Sequence, residues 1–192
     1  MILEGIVTTI ASDGELNIAP MGPVVDEAMR QLTFRPYNTS HTYQNLKAHG
    51  EGVFHVTDDV LLLAQAALGP VSPIPEMIRA DTILGYIIAD ACRFYEFRIV
   101  TLDDSRERVV MEAEVTRHGW KRDFFGFNRA KHAVVEGAIL ATRTGFLPIA
   151  EILAEFRELE VIVRKTGGAR EIEAFAFLKA HVEQSQGKKR DA

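Results

Sequence analysis

The stretch Gln31-Leu32-Thr33-Phe34-Arg35-Pro36-Tyr37-Asn38-Thr39-Ser40-His41-Thr42-Tyr43-Gln44-Asn45-Leu46 changes periodicity halfway along its length. Leu32 and Phe34 alternate with Thr33 and Arg35, the period-two pattern of a strand with one buried face. Pro36 disfavours helical geometry at Arg35 and ends the strand. Thr39 or Ser40 can then serve as the N-cap of a helix from about Ser40 to His49, which Gly50 stops. The free N–H groups of that first turn, with the hydroxyls of Thr39, Ser40 and Thr42, form a ready anion pocket. The planar fork of Arg35 suits phosphate. Arg35 is also one of only three cations, with Arg30 and Lys47, among residues 1–60, which carry eight carboxylates.

Upstream of this stretch, Leu3 to Ala11 reads as a strand rich in Ile, Val and Thr. Asp13-Gly14 supplies a hairpin-type turn, and Leu16 to Val25 returns as a second strand. Pro20 and Pro23 cannot donate to a ladder, so that strand is an edge or is bulged. Its run Asn17-Ile18-Ala19-Pro20-Met21-Gly22-Pro23 is rich in small residues. Such a run lets the main chain approach a flat aromatic ring.

Downstream, Gly52 to Thr57 is a strand, and Asp58 or Asp59 can cap the apolar helix Val60 to Leu68. Pro70, Pro73 and Pro75 mark a loop. Arg93 to Leu102 and Arg106 to Thr116 make a long hairpin around Asp103-Asp104-Ser105, with Val109, Met111, Ala113 and Val115 facing inward.

The periodicity becomes helical after Gly119. Phe127 to Arg143 is amphipathic and rich in small residues. Pro148 opens a helix with Ile149, Ile152, Leu153, Phe156 and Leu159 on one stripe. Gly167-Gly168 stops it, and Ala169 to about Val182 forms the last helix. Residues 1–119 therefore read as a mainly β, α+β domain. Residues 120–183 read as a helical module packed on that domain or on a partner subunit, and residues 184–192 as a flexible tail.

Composition narrows the function. The 192 residues carry a net charge of −5, which argues against broad binding to nucleic acid or anionic membranes. No apolar run reaches membrane-spanning length, and the opening Met-Ile-Leu-Glu-Gly lacks the basic region and apolar core of an export signal. A cytoplasmic protein is expected. Cys92 is the sole cysteine, so neither an internal disulfide nor a cysteine-based zinc site is available, and it reads as a buried small hydrophobe. His41 and His49 are not at the spacing of a helical metal pair, and no metal is expected. There is no Ser-His-Asp or Cys-His arrangement. Asn128, Arg129, Lys131 and His132 at a helix start can reach a ligand's anionic group, though a solvated helix face is their simpler reading.

Several segments together resemble a known group. Asn17-Ile18-Ala19-Pro20, Arg35-Pro36, Thr39-Ser40-X-Thr42-X-X-Asn45-Leu46 and Gly52-Val53-Phe54-His55-Val56 are similar to the FMN-binding split-barrel superfamily. That superfamily includes flavin reductases and pyridoxamine-phosphate-oxidase-like proteins. Within it the chain resembles the DUF447 family, which Phe127-Asn128-Arg129-Ala130-Lys131 and Ile139-Leu140-Ala141-Thr142-Arg143 also match, so the resemblance covers nearly the whole chain.

The resemblance implies an antiparallel split β-barrel with a C-terminal helical module. It further implies FMN as cofactor and a homodimer holding flavin at the subunit interface. Carried over by position, Arg35, Thr39, Ser40 and Thr42 would hold phosphate, and Ala19, Pro20, Met21 and Gly22 would line the isoalloxazine ring. Asn45 would be a neighbour of the site or a packing residue. The implied activity is a flavin-dependent oxidoreductase acting on a small molecule, with a link to pterin-dependent one-carbon metabolism as an extension. A non-catalytic dimeric flavin-binding or assembly module is the alternative.

Overall fold

Seven strands pair antiparallel: β1 (Gly5–Ile10), β2 (Leu16–Met21), β3 (Val24–Val25), β4 (Gln31–Phe34), β5 (Glu51–Val56), β8 (Arg93–Asp103) and β9 (Val110–Trp120). They form one sheet in the order β2-β1-β5-β8-β9-β4-β3. The structure, a computed structural model, describes residues 1–188. Its contacts divide into two units, Met1–Thr57 with Ser72–Phe124, and Asp58–Val71 with Phe125 onward. The helix Val60–Leu68 thus groups with the C-terminal helices, although it lies between two strands in the chain.

The sheet of the first unit curls. Val7 near one end and Val25 and Leu32 near the other share one buried cluster with Phe34, Phe54, Tyr95, Phe97 and Met111. Strands about 4.8 Å apart would hold those ends more than 20 Å from each other in a flat sheet. The first residues of the chain join the two ends directly. Leu3 N–H donates to Pro23 O (3.1 Å) and Val25 N–H to Met1 O (2.8 Å), whereas β1, a few residues on, pairs with β2 and β5. Breaks in the β8–β9 register at Glu96/Phe97 and Ile99/Thr101 add local bend.

The second strand of the sequence reading is split, with Gly22-Pro23 separating β2 from β3. β2 is the sheet's edge, as its prolines require. The proline-marked loop also holds a feature that the sequence pattern did not reveal, the two-stranded ribbon β6 (Met77–Arg79) and β7 (Tyr86–Ile88). Its runs are too short to show periodicity.

That ribbon covers the outer face of the sheet, where Val53, Ala80, Ile83, Ile87 and Phe94 form a second cluster. Two polar contacts fasten it: Thr8 Oγ1 donates to Tyr86 O (2.6 Å), and Ile88 N–H donates to His55 Nε2 (3.1 Å). Because Nε2 accepts, the single ring proton lies on Nδ1, which donates to Ile6 O (3.2 Å). Gly5 and Gly119 are close-approach positions. A Cβ at Gly5 would strike His55 O, and one at Gly119 would enter the Phe94 ring.

His55 is fully buried, and burial pushes its pKa down from 6.5 to about 4. The unfolded chain therefore takes up a proton near pH 6.5 that the folded chain refuses until about pH 4. The associated stability is complete above pH 6.5 and is lost as pH falls toward 4, by about 3 kcal/mol in all. Urea unfolding at pH 7.5 and pH 5 should show about 2 kcal/mol of this loss, and His55→Gln should flatten the dependence. An equal slope in the variant would assign the effect elsewhere.

The second unit consists of α2 (Val60–Leu68), α3 (Arg129–Ala141), α4 (Ile149–Thr166) and α5 (Ala169–Lys188). Asp59 caps α2, its Oδ1 accepting from Leu61 and Leu62 N–H. Asn128 caps α3 in the same way, accepting from Ala130 and Lys131 N–H. The small residues of α3 (Ala130, Ala133, Gly137, Ala138, Ala141) are buried. They allow close packing beside Phe156 of α4 and Phe175 of α5, whose rings lie 5.2 Å apart. The last helix extends past Val182 through the expected tail to Lys188; residues 189–192 lie outside the described residues.

Candidate functional site

The turn from β4 into α1 (His41–His49) is built as the Arg35-Pro36 and Thr39-Ser40 sequences dictate. Pro36 O accepts from Val109 N–H (3.0 Å), and Asn38 N–H donates to Glu107 O (3.0 Å), so the turn is stitched to the start of β9. Ser40 has extended geometry and caps α1, accepting from Tyr43 N–H (3.2 Å) while its own hydroxyl donates to Tyr37 O (2.8 Å). Gly50, left-handed at φ 69°, ends the helix.

The residues singled out for an anion are distributed unequally over this turn. Arg35 and Thr39 are exposed, and the Arg35 guanidinium has no partner among the described residues. Ser40 is half-exposed and occupied by the cap. Thr42 is buried, its Oγ1 accepting from Asn17 Nδ2 of β2 at 3.1 Å. Asn17 also donates to Thr9 Oγ1 (3.1 Å), and buried Asn45 donates to the same oxygen (3.0 Å). Asn45 is thus a packing residue, tying α1 to β1.

Ala19, Pro20 and Met21 continue β2 immediately after this cluster, opposite Val7, Ile6 and Gly5. Every residue of β2 is half-exposed. Gly22 follows, where a Cβ would lie 2.9 Å from Glu4 Oε1 and Ile2 Cγ2. The Asn17–Thr42 bond therefore places a half-exposed edge strand beside the first turn of a helix next to an unpartnered arginine.

Two further cations lie near the turn and are engaged. Arg108, which nothing in the local sequence marked, donates to Arg35 O (2.8 Å) and stacks on the Tyr37 ring at 4.0 Å. Lys47 bonds Asp104 (2.7 Å) and the Tyr43 hydroxyl (3.0 Å). The Asp104 carboxylate holds the Lys47 pKa well above the usual lysine value, and Lys47 in turn holds Asp104 below the usual carboxylate range. Asn17 and Thr9 were legible in hindsight as polar side chains inside strands.

The candidates at the start of α3 lie in the second unit. Asn128 is spent on the cap and on Thr166 O (3.0 Å). Lys131 is spent on Asp58 O (2.6 Å) and Glu171 (3.1 Å). Arg129 is exposed with no partner among the described residues. His132 is exposed and stacks with Phe127 at 6.2 Å. No group of three or more His, Cys, Asp or Glu among the described residues is placed to hold a metal ion, and no helix there is long and apolar enough to cross a membrane.

Solved structures share this architecture. An FMN-bound DUF447 protein from Methanosarcina mazei aligns over 94% of this chain and 94% of its own, with TM-score 0.80 and 22% identity. Component B of nitrilotriacetate monooxygenase from Bacillus cereus aligns over 62% of this chain and 70% of its own, with TM-score 0.53 and 18% identity. An NADH:FAD oxidoreductase from Streptomyces globisporus aligns over 62% and 75%, with TM-score 0.53 and 13% identity. At such identities the likeness establishes the fold, a split β-barrel followed by helices. No curated protein matches the sequence. The model of the N-terminal domain of DUF447, a family described as of unknown function, matches residues 3–122, and its C-terminal model matches residues 128–180. The chain belongs to the DUF447 family.

Proposed function

We propose that the protein binds FMN and acts as a flavin-dependent oxidoreductase on a small molecule. The observation that carries this reading is the Asn17–Thr42 junction, which sets the open strand β2 beside the α1 first turn and the unpartnered Arg35. A flavin mononucleotide needs a flat apolar shelf and an anion-binding end, and these residues have the chemistry for both. Arg35, the Thr39 hydroxyl and the free N–H groups at the start of α1 would hold the phosphate. Ala19, Pro20, Met21 and Gly22 would line the ring. Ser40 fixes the turn, and Thr42 with Asn17 fixes its distance from the shelf.

FMN, when bound, would supply the redox chemistry, a hydride or electron route between a reduced nicotinamide and a small acceptor. The chain's own part is to bind and orient. The exposed edge β2 calls for a covering partner, and the reading includes a homodimer with flavin at the subunit interface. The FMN-bound family member and the NADH:FAD oxidoreductase support the cofactor and the reaction class. A pterin-linked substrate belongs to the same proposal.

The purified protein should be yellow and release one FMN per chain. Under air it should consume NADH or NADPH, with transient bleaching of the flavin. A colourless protein that takes up no FMN would overturn the cofactor reading. A flavin that stays oxidised with both nicotinamides would leave a binding module.

A further inference from the structure

Tyr37 and Arg108 face each other as an isolated antiparallel bridge across the turn that leads from β4 into α1. Residues directly opposite in such a pairing send their side chains to one face. Here the Arg108 guanidinium lies over the Tyr37 ring, 4.0 Å from its centroid. The stack is pinned at both ends. Tyr37 O accepts from Ser40 N–H (3.0 Å) and Ser40 Oγ (2.8 Å), and Arg108 Nη1 donates to Arg35 O (2.8 Å). The Asn38–Glu107 and Val109–Pro36 backbone bonds close the frame on either side.

Those backbone bonds hold the turn, and an exposed cation–π pair adds little to its stability. Tyr37 is 44% exposed and Arg108 is exposed as well. The Tyr37 hydroxyl has no partner among the described residues, and Arg108 spends a single N–H on the Arg35 carbonyl. Positive charge also gathers here. Residues 35–38 and 105–109 carry Arg35, Arg106 and Arg108 against the one carboxylate of Glu107, in a chain of net charge −5. The next carboxylate, Asp104, is taken by Lys47.

Purine bases stack on guanidinium planes and on aromatic rings alike. A guanidinium already laid flat on a ring offers its other face as the next layer, with the cost of ordering it met in advance. We infer that the Tyr37–Arg108 stack is the seat of an adenine base, with the phosphate of the same nucleotide among the cations beside it. Two molecules suited to the proposed chemistry carry such a nucleotide, a reduced nicotinamide dinucleotide and FAD. Which of them fills the seat rests on the cofactor reading above; the seat itself rests on the stack.

Calorimetric titration of the purified protein, before and after FMN loading, with 5′-AMP and with ribose 5-phosphate tests the seat. The parent should bind 5′-AMP about tenfold more tightly than ribose 5-phosphate, which has no base. Arg108→Ala should abolish that preference. Arg108→Lys should not restore it, because it returns the charge without the plane, whereas Tyr37→Trp should keep it. Thermal unfolding shows whether the turn survives loss of the Arg35 carbonyl bond. If it does not, Tyr37→Ala removes the stack with that bond in place. The two sources separate by ratios. With a nicotinamide dinucleotide in the seat, Arg108→Ala raises KM for NADH about tenfold relative to reduced nicotinamide mononucleotide. With FAD there, the preference for FAD over FMN falls by about the same factor.

Equal binding of 5′-AMP and ribose 5-phosphate by the parent would overturn the inference. So would a preference that survives Arg108→Ala and Tyr37→Ala, or one that Arg108→Lys retains in full, which would reduce the contact to charge. In the FMN-loaded protein, a preference lost in the variants with neither ratio moved would mark a chance surface for loose bases and overturn it too. A chain that takes up no FMN but prefers 5′-AMP would overturn the cofactor reading and leave the seat standing.

Discussion

Replacing Glu96 by alanine should cost about 3–5 kcal/mol of stability, at the upper end of what a single substitution costs. Glu96 lies on the outer face of β8, in the row Val53–Glu96–Arg117 across three strands, and its side chain is fully buried. It accepts from Thr82 Oγ1 (2.6 Å), Thr82 N–H (2.8 Å), Asp81 N–H (3.2 Å) and Arg117 (3.1 Å). Burial alone would raise its pKa. The Thr82 hydroxyl, the two backbone N–H groups and the Arg117 guanidinium outweigh burial and hold the carboxyl below the usual glutamate value. Alanine would leave two backbone donors and a hydroxyl facing a hole in the cover that the β6–β7 ribbon makes over the sheet.

Urea unfolding at pH 7 measures the loss, and Glu96→Gln, which keeps an acceptor, should lose less. Since the carboxylate pKa is depressed, its contribution is complete above about pH 4.5 and disappears below it, a window more acid than that of His55. A loss under about 1 kcal/mol for Glu96→Ala would mean that water replaces the carboxylate and that the ribbon is held by its apolar contacts alone.

The strands that alternate over several residues were legible in the sequence, because one buried face imposes period two. Leu32 and Phe34 in β4, and Met111 and Ala113 in β9, face the same cluster that their spacing implies. The capped starts of α1 and α2 were equally legible, since Thr39 or Ser40 and Asp58 or Asp59 precede the helices there, whereas Asn128, read as part of a helix face, proves to be the cap of α3. The ribbon β6–β7 was not. Its strands are three residues long, and it is held through His55, Glu96 and Thr8, partners tens of residues away in most cases that no local pattern can indicate. The grouping of Asp58–Val71 with the later helices is hidden for the same reason.

For the candidate site, sequence types correctly located the turn but not the disposition of its hydroxyls. Ser40, Thr39 and Thr42 look equivalent in a string. In three dimensions one hydroxyl is occupied by the cap, one is free, and one is drawn inward by Asn17. Arg108 entered only through the pairing of Tyr37 with Arg108 across the turn.

Arg35→Ala should weaken FMN binding by tenfold to a hundredfold and leave riboflavin binding nearly unchanged. The guanidinium is exposed and unpartnered, whereas the neighbouring cations Lys47 and Arg108 are committed to Asp104 and to the backbone. If it grips phosphate, its removal deletes charge-assisted hydrogen bonds of about 1.5–3 kcal/mol each, which corresponds to roughly that loss of affinity. The turn itself should survive the change. Arg108 bonds the carbonyl of residue 35, Val109 N–H bonds Pro36 O, and the Ser40 cap is untouched. The apo variant should therefore unfold within about 1 kcal/mol of the parent. Riboflavin lacks the phosphate and reads only the ring shelf, so it separates loss of the anion grip from loss of the site. Fluorescence titration of both flavins into both chains makes the comparison. Equal losses for the two ligands would mean that Arg35 supports the ring or the fold, and the phosphate would have to be held elsewhere, with Lys47 released from Asp104 as the next residue to substitute.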